Sequence, residues 1–296
     1  FLMKNIIIVT GGAGFVGSNL IKKLLKSSKK KIISIDDYSS GNKKNHIKNS
    51  RVTYVNNSTK NIKKILERKK KKIETIFHFG EYSRIFQSFK NFQKCFDSNI
   101  NGTKEVILFC LQNKIKLIYS ATSASLGNSG KDENLSPYAY TKSKNLELLE
   151  NLKKWFKFKY EIIYFYNVYG PGQIKKGKNA TVIGIFESQT DENIPLTVVK
   201  PGTQKRRFTH IDDTIDICIK AWKLSKCKHY AISNRRSYSI IEVAKMFKRK
   251  IIYLPYRKGE RYASKLTKMN LSNLVNIYFG NKQLKNYIDD FISTKK

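Results

Sequence analysis

Two tyrosine–lysine pairs in this sequence are placed to move a proton. Pro137-Tyr138-Ala139-Tyr140-Thr141-Lys142-Ser143-Lys144 sets Tyr138 four residues before Lys142, and Tyr140 four before Lys144. Residues four apart share a helix face. An ammonium beside a phenol favours the phenolate, which can then take a proton from a hydroxyl. The spacing leaves both registers open, and in a lysine-rich chain such a pair is commonly a surface feature. Position raises its interest. Residues 114–120 read as a strand that runs into Ser120-Ala121-Thr122-Ser123-Ala124, a cluster of small hydroxyl residues. Ligands of open α/β sheets bind at that C-terminal edge.

A second constellation could hold a phosphate. Thr10-Gly11-Gly12-Ala13-Gly14-Phe15-Val16-Gly17 follows an apolar run and opens an amphipathic stretch. Glycine permits the tight turn and lets a diphosphate approach amides at a helix N-terminus. The last glycine allows helix and strand to pack closely. The next strand ends in Asp36-Asp37. A carboxylate there accepts hydrogen bonds from ribose hydroxyls and repels a 2′-phosphate, so NAD is expected over NADP. The bland alternative is a plain strand–helix turn with an acidic cap; the strand before and helix after argue against it.

The elements that must position these groups alternate. Residues 5–10, 31–36, 51–55, 74–79, 114–120 and 160–166 read as strands. Helical patterns lie between them: Val16, Leu20, Ile21 and Leu24 on one face, then about 93–112 and 138–158. This predicts an α/β fold: a Rossmann-like, doubly wound parallel sheet covered on both faces. After Tyr169 the alternation breaks at Gly170-Pro171-Gly172. Helices are predicted at about 180–191, 211–224, 272–279 and 283–292, and strands at 196–199 and 228–232. The expected organisation is a cofactor domain over residues 1–170, with a return segment at about 208–235. A smaller, interwoven substrate lobe covers 171–296.

Composition narrows the class. No apolar stretch approaches the ~20 residues of a membrane span, and the start lacks a signal-peptide pattern; a cytoplasmic protein without membrane contact is expected. Cys95, Cys110, Cys218 and Cys227 form no C-x-x-C pair, and the histidines show no ligand spacing, so no metal is expected. The net charge of +36 comes from lysines spread along the whole chain. Charge alone is weak support for nucleic-acid binding, and none is expected. A positive field would help attract a substrate carrying a diphosphate.

In this order the motifs resemble the extended short-chain dehydrogenase/reductase family, in particular its NAD-dependent nucleotide-sugar epimerases and dehydratases. The resemblance rests on the glycine turn, Asp36, His78-Phe79-Gly80, Asn99-Ile100-Asn101-Gly102-Thr103, the Thr122 cluster and Pro137-Tyr138 with Lys142. Further on it includes Tyr166-Asn167-Val168-Tyr169-Gly170-Pro171, Arg206-Arg207-Phe208-Thr209-His210-Ile211-Asp212-Asp213 and Arg257-Lys258-Gly259-Glu260. It implies Tyr138 as acid and base, since family members carry proline directly before that tyrosine. Lys142 would bind the nicotinamide ribose and tune Tyr138, and Thr122 would hydrogen-bond the reacting hydroxyl. Gly11, Gly14, Phe15, Val16, Gly17, Asp36, Asp37 and Asn99 would contact NAD. Asn167, Arg206 and Arg257 would meet the substrate's diphosphate or nucleoside, arginine suiting phosphate through its two-pronged head. A homodimer through the helices near 93–112 and 138–158 is implied, with Leu146, Leu149 and Trp155 as seam candidates; packing against the sheet is the equal reading.

The sequence departs from the family where His-x-Ala-Ala becomes His78-Phe79-Gly80-Glu81, which sets a carboxylate near the cofactor. Asn56-Asn57-Ser58 stand where an aspartate usually faces adenine. Ser125-Leu126-Gly127 replace a common V-Y-G. Family dehydratases carry Asp-Glu directly after the threonine, and decarboxylating members keep the second acid; here Ser123 and Ala124 follow Thr122. The implied reaction is epimerisation at C4 of a UDP-sugar through a 4-keto intermediate, the same NAD taking and returning a hydride. A 4,6-dehydratase with displaced acids, or a reductase or decarboxylase, is the alternative within the family. A non-catalytic NAD-binding regulator is the alternative outside it, though such a protein is expected to have lost the tyrosine or lysine.

Overall fold

The structure is a computed structural model that describes residues 4–123, 134–257 and 275–295. Along the cofactor half run β1 (Ile6–Thr10), α1 (Phe15–Ser27), β2 (Lys31–Asp36), β3 (Val52–Asn56), α2 (Ile62–Leu66) and β4 (Ile73–His78). Then follow α3 (Ile85–Lys90), α4 (Phe92–Phe96), a π-helical stretch (Asp97–Gly102), α5 (Thr103–Gln112), β5 (Lys116–Thr122), α6 (Pro137–Phe156) and β6 (Tyr160–Phe165). The remainder comprises β7 (Val168–Tyr169), α7 (Val182–Asp191), β8 (Leu196–Val199), β9 (Lys205–Arg206), β10 (Thr209–His210), α8 (Ile211–Leu224) and β11 (His229–Ser233). It ends with β12 (Tyr238–Ser239), α9 (Ile240–Met246), β13 (Ile251–Leu254), β14 (Val275–Phe279) and α10 (Leu284–Ser293).

The main sheet has the order β14-β11-β6-β5-β4-β1-β2-β3, and every neighbouring pair is parallel. Its strands read as near-continuous apolar runs because both faces are covered. Ile6, Ile8, Leu117, Tyr119 and Ile162 pack under α2, α5 and α6. Ile7, Val9, Ile118 and Ile163 pack under α1 and α8. The chain order reverses between β1 and β4, and at that switch point the strand ends part to leave a crevice.

Two expectations change. The helix expected at 272–279 is a strand where described: β14 pairs in parallel with β11, from His229 opposite Val275 to Ser233 opposite Phe279. Residues 275–279, Val-Asn-Ile-Tyr-Phe, favour a pleated surface, and the open edge of β11 supplies the partner. The chain therefore returns to the main sheet twice, at β11 and at β14. Leu146 and Leu149 belong to the core under the sheet, which decides for packing; Trp155 is 63% exposed.

The smaller lobe has its own core of Ile183, Phe186, Leu196, Val198, Val243, Phe247, Leu284 and Ile288. Glu187 ties it together, accepting from Gln173 (2.9 Å) and Tyr287 (2.6 Å) and pairing with Lys175 (3.1 Å). Among the described residues, no helix is long and apolar enough to cross a membrane, and no cluster of His, Cys, Asp or Glu is arranged to hold a metal ion.

Candidate active site

A cavity of about 510 Å³ lies at the C-terminal ends of the central strands, between the sheet and the smaller lobe. At its cofactor end, β1 turns into α1 through Gly11, which has φ +71°. A Cβ on Gly11 would stand 2.8 Å from the backbone of Phe79 and Gly80. On Gly17 it would stand 2.1 Å from the Gly11 carbonyl oxygen. Side chains are thus excluded from the turn, so that a diphosphate can approach its backbone and the start of α1 closely. Gly11, Gly14, Phe15, Val16 and Gly17 all line the cavity, as do Asp36 and Asp37. Asp36 accepts from the Ala13 amide (2.9 Å) and the Tyr38 amide (2.8 Å). Burial raises its carboxyl above the ordinary range, and those two amides oppose the rise. The turn and its acid fit an adenine dinucleotide. Asn57, from the stretch that replaces the usual aspartate, is also on the wall.

The reacting end is built by α6 and β5. Ser136 caps α6, accepting from the Ala139 amide (3.1 Å), and Pro137 takes the first helical position, where its missing N–H costs nothing. Tyr138 and Lys142 then fall one turn apart, both buried and both on the cavity wall with Thr122, Ser120 and Phe165. The Tyr138 amide donates to Ser88 Oγ of α3 (3.3 Å). Tyr140, the alternative register, is 39% exposed and stacks on Phe96 away from the cavity. Of the two registers, Tyr138 with Lys142 is the pair on the cavity wall.

Glu81 acquires a definite place. Its side chain is 2% exposed and forms an ion pair with Lys142. Its Oε1 accepts from Thr103 Oγ1 (3.0 Å), Tyr119 Oη (3.0 Å) and Asn145 Nδ2 (3.4 Å). The chain of bonds continues backwards. Thr10 Oγ1 accepts the Phe79 and Gly80 amides (3.1 and 3.0 Å), so its own proton goes to His78 Nδ1 (2.7 Å). His78 Nε2 lies 2.9 Å from Thr103 Oγ1. Burial pulls the His78 imidazole down to about 4. It is therefore neutral and carries its proton on Nε2, donated to Thr103, whose hydroxyl donates onward to Glu81. Burial, then the Glu81 charge, holds the Tyr119 phenol far above its ordinary range, keeping it a donor. Lys142 also donates to the Ser120 carbonyl (2.5 Å) and sits 4.7 Å from the Tyr119 ring centre. An ammonium has three protons, and among the described residues two of those of Lys142 are used inside the wall.

Asn99 is brought next to the site but behind its wall. Fully buried, it accepts from the Tyr82 amide (2.7 Å) and donates to the Tyr82 carbonyl (3.1 Å) and Thr141 Oγ1 (3.1 Å). From there it braces the loop after β4. From the other side, Asn167, Arg206 and Arg257 line the cavity as expected. Asn167 donates to the Arg207 carbonyl (2.7 Å), Arg206 donates to the Lys205 carbonyl (3.0 Å), and Arg257 lies 5.6 Å from the Phe86 ring centre. Sequence reasoning missed Arg84, also on the wall; its place just past the β4 end was the available signal. Ala124, Ser125, Leu126, Gly127, Lys258, Gly259 and Glu260 lie outside the described residues.

With this geometry, the comparisons decide the family. Residues 7–233 match the model of the NAD dependent epimerase/dehydratase family. The chain belongs to that family. An uncharacterised UDP-glucose epimerase of Bacillus subtilis is 31% identical over 228 residues, 71% of this chain and 70% of its own. Among solved structures, a UDP-glucose 4-epimerase of Thermotoga maritima superposes with a TM-score of 0.83 at 23% identity, covering 98% of this chain and 100% of its own. A dTDP-glucose 4,6-dehydratase of Streptomyces venezuelae superposes at 0.85 with 19% identity, covering 97% and 96%. At those identities the superpositions show the shared fold. The family assignment makes this chain a member of an NAD-dependent enzyme family.

Proposed function

We propose that the chain epimerises a nucleotide-activated sugar, at C4 of a UDP-sugar, with Tyr138 as acid and base. The observation that carries this reading is the wall shared by Tyr138, Lys142 and Thr122, facing the glycine turn across one cavity. NAD, when bound, supplies a hydride acceptor that returns what it takes. Tyr138 takes the proton from the sugar hydroxyl as that carbon is oxidised, and gives it back on reduction. Thr122 orients the hydroxyl. Lys142 offers its remaining N–H to the nicotinamide ribose and keeps a positive charge near the phenol. Asn167, Arg206 and Arg257 take the diphosphate and nucleoside. The names of the relatives favour UDP and C4.

Epimerisation is favoured over dehydration because loss of water needs an acid and a base beyond Tyr138. Thr122 is followed by Ser123 and Ala124, and neither can serve at neutral pH. Glu81 is the one nearby carboxylate among the described cavity-lining residues of this wall, and both its oxygens are filled by donors within the protein. Mass spectrometry of the product tests the reading. An unchanged mass with inverted C4 by NMR supports it, and loss of one water overturns it in favour of a dehydratase. We also propose a homodimer through the α4–α6 face, where Phe92, Leu108, Tyr140 and Trp155 are exposed.

A further inference from the structure

Glu81 and Arg84 stand three residues apart on the loop after β4, and among the described residues only Glu81 has its charge answered. Arg84 is half-buried on the cavity wall. Its Nε (3.1 Å) and one terminal nitrogen donate to the Asn179 carbonyl, and the other terminal nitrogen donates to the Ser83 carbonyl (3.2 Å). Among the described residues no carboxylate pairs with it. Burial lowers its pKa from the ordinary value; the ionisable groups that act against this are the phenols of Tyr138 and Tyr82. Glu81, the nearest acid in sequence, is committed to Lys142. A guanidinium has five N–H donors. Three hydrogen bonds are made, which leaves one N–H on each terminal nitrogen, the pair with which arginine grips a carboxylate.

Position sets which anion fits. Arg84 directly precedes α3, whose Ser88 receives the Tyr138 amide (3.3 Å). Asn179 directly precedes Ala180 and Thr181, which line the cavity just before α7. Arg84 therefore ties the loop after β4 to that segment, within electrostatic reach of Tyr138, where the reacting ring must lie. Arg206 and Arg257 come from the smaller lobe, on β9 and after β13, and serve the diphosphate. A half-buried cation with no acid beside it among the described residues gains most from a ligand that brings one.

We propose that Arg84 forms a carboxylate subsite at the sugar end of the cavity, so that the preferred substrate is a nucleotide sugar with a carboxylate on its ring. This rests on the epimerase reading for the reaction, while the binding it asserts can be measured separately. UDP-glucuronate and UDP-glucose are suitable probes, since they differ only in carboxylate against hydroxymethyl at C5. With the full-length, NAD-loaded protein, calorimetry should give roughly 10–100-fold tighter binding of UDP-glucuronate, the worth of a charge-assisted hydrogen-bond pair. Arg84→Met should abolish that selectivity while changing UDP-glucose affinity less than about threefold. Arg84→Lys keeps the charge without the fork and should retain a reduced selectivity; it carries the test if the methionine variant does not retain NAD.

Equal binding of the two sugars by the unaltered protein overturns the subsite. Equal losses for both in the Arg84 variants also overturn it, and make Arg84 a strut between the lobes. Selective binding without turnover overturns the epimerase reading and leaves the subsite standing. Turnover without selectivity does the reverse.

Discussion

The two walls of the cavity treat charge in opposite ways. On the sheet side, Glu81, Lys142, Thr103 and His78 answer one another through a directed set of hydrogen bonds that begins at Thr10 in the glycine turn. On the lobe-facing side, Arg84 leans on backbone carbonyls and meets no acid among the described residues. The first wall is complete before any ligand arrives, so Lys142 and Tyr138 need no reorganisation at the moment of reaction, the condition under which fixed charges are most effective. The second is finished by its ligand, and that is where selectivity arises. The contrast also explains why Glu81 is a poor candidate for a displaced dehydratase acid: its carboxylate is committed to Lys142 and to neutral donors within the wall.

The largest test falls on the group shared by both walls. Tyr138→Phe should cut turnover by ~10²–10⁴-fold and leave NAD bound, as read by cofactor absorbance after gel filtration. Tyr140→Phe should be nearly silent. Damage from the second change and none from the first would return the register to Tyr140 and Lys144.

Next comes the closed wall itself. Glu81→Ala leaves Lys142 without its acid partner, and breaking a buried pair from one side costs about 3–5 kcal/mol; a matching fall in the urea midpoint is expected. Turnover should fall as well, because Lys142 is then no longer held on the wall by its acid partner. Added formate should restore part of it. A variant that loses stability with unchanged turnover would reduce Glu81 to a structural brace.

His78 gives a smaller effect with a definite sign. Its folded value, about 4, lies below the ordinary 6.5, so in that window the unfolded chain binds the extra proton. The stability it contributes is complete above about pH 6.5 and is lost as pH falls towards 4, by at most roughly 3 kcal/mol. His229, pulled down likewise to about 4 by burial, adds a parallel loss. Melting temperatures should fall across that window and be flat from pH 7 to 8; a flat profile throughout would mean that water reaches the wall.

The smallest effect is at the far end. Asp36→Ala should weaken NAD roughly tenfold, the worth of hydrogen bonds to a charged acceptor, and narrow the margin over NADP. Tighter binding of NADP by the unaltered protein would refute the assignment of Asp36 to the ribose.

Sequence reading reached the groups whose neighbours along the chain define them. The glycine turn, Asp36, Pro137-Tyr138 with Lys142, and Thr122 each sit in a short segment that carries its own signal. It flagged Glu81 as odd and could not place it, because the partnership with Lys142 exists only once β4 and α6 are side by side. The bonds of Asn99 to Tyr82 were likewise out of reach, because they depend on a π-helical turn that brings the two together. Strands β7, β9, β10 and β12 have two residues each, too few for any period to show. Residues 275–279 could pass for helix or strand until the edge of β11 was known, an ambiguity inherent in short apolar runs.

That edge has a history during synthesis. The strands β1 to β6 and β11 are all made before the ribosome reaches residue 234, but β14 follows only after the α9 and β13 segment. At ~5–20 residues per second, β11 waits on the order of several seconds with one row of amides and carbonyls uncovered. A parallel, apolar edge of that kind recruits other strands. The nascent chain is thus most exposed to misassembly late, when most of its sheet already exists, and slower translation between β11 and β14 should lower the soluble yield without altering the finished enzyme.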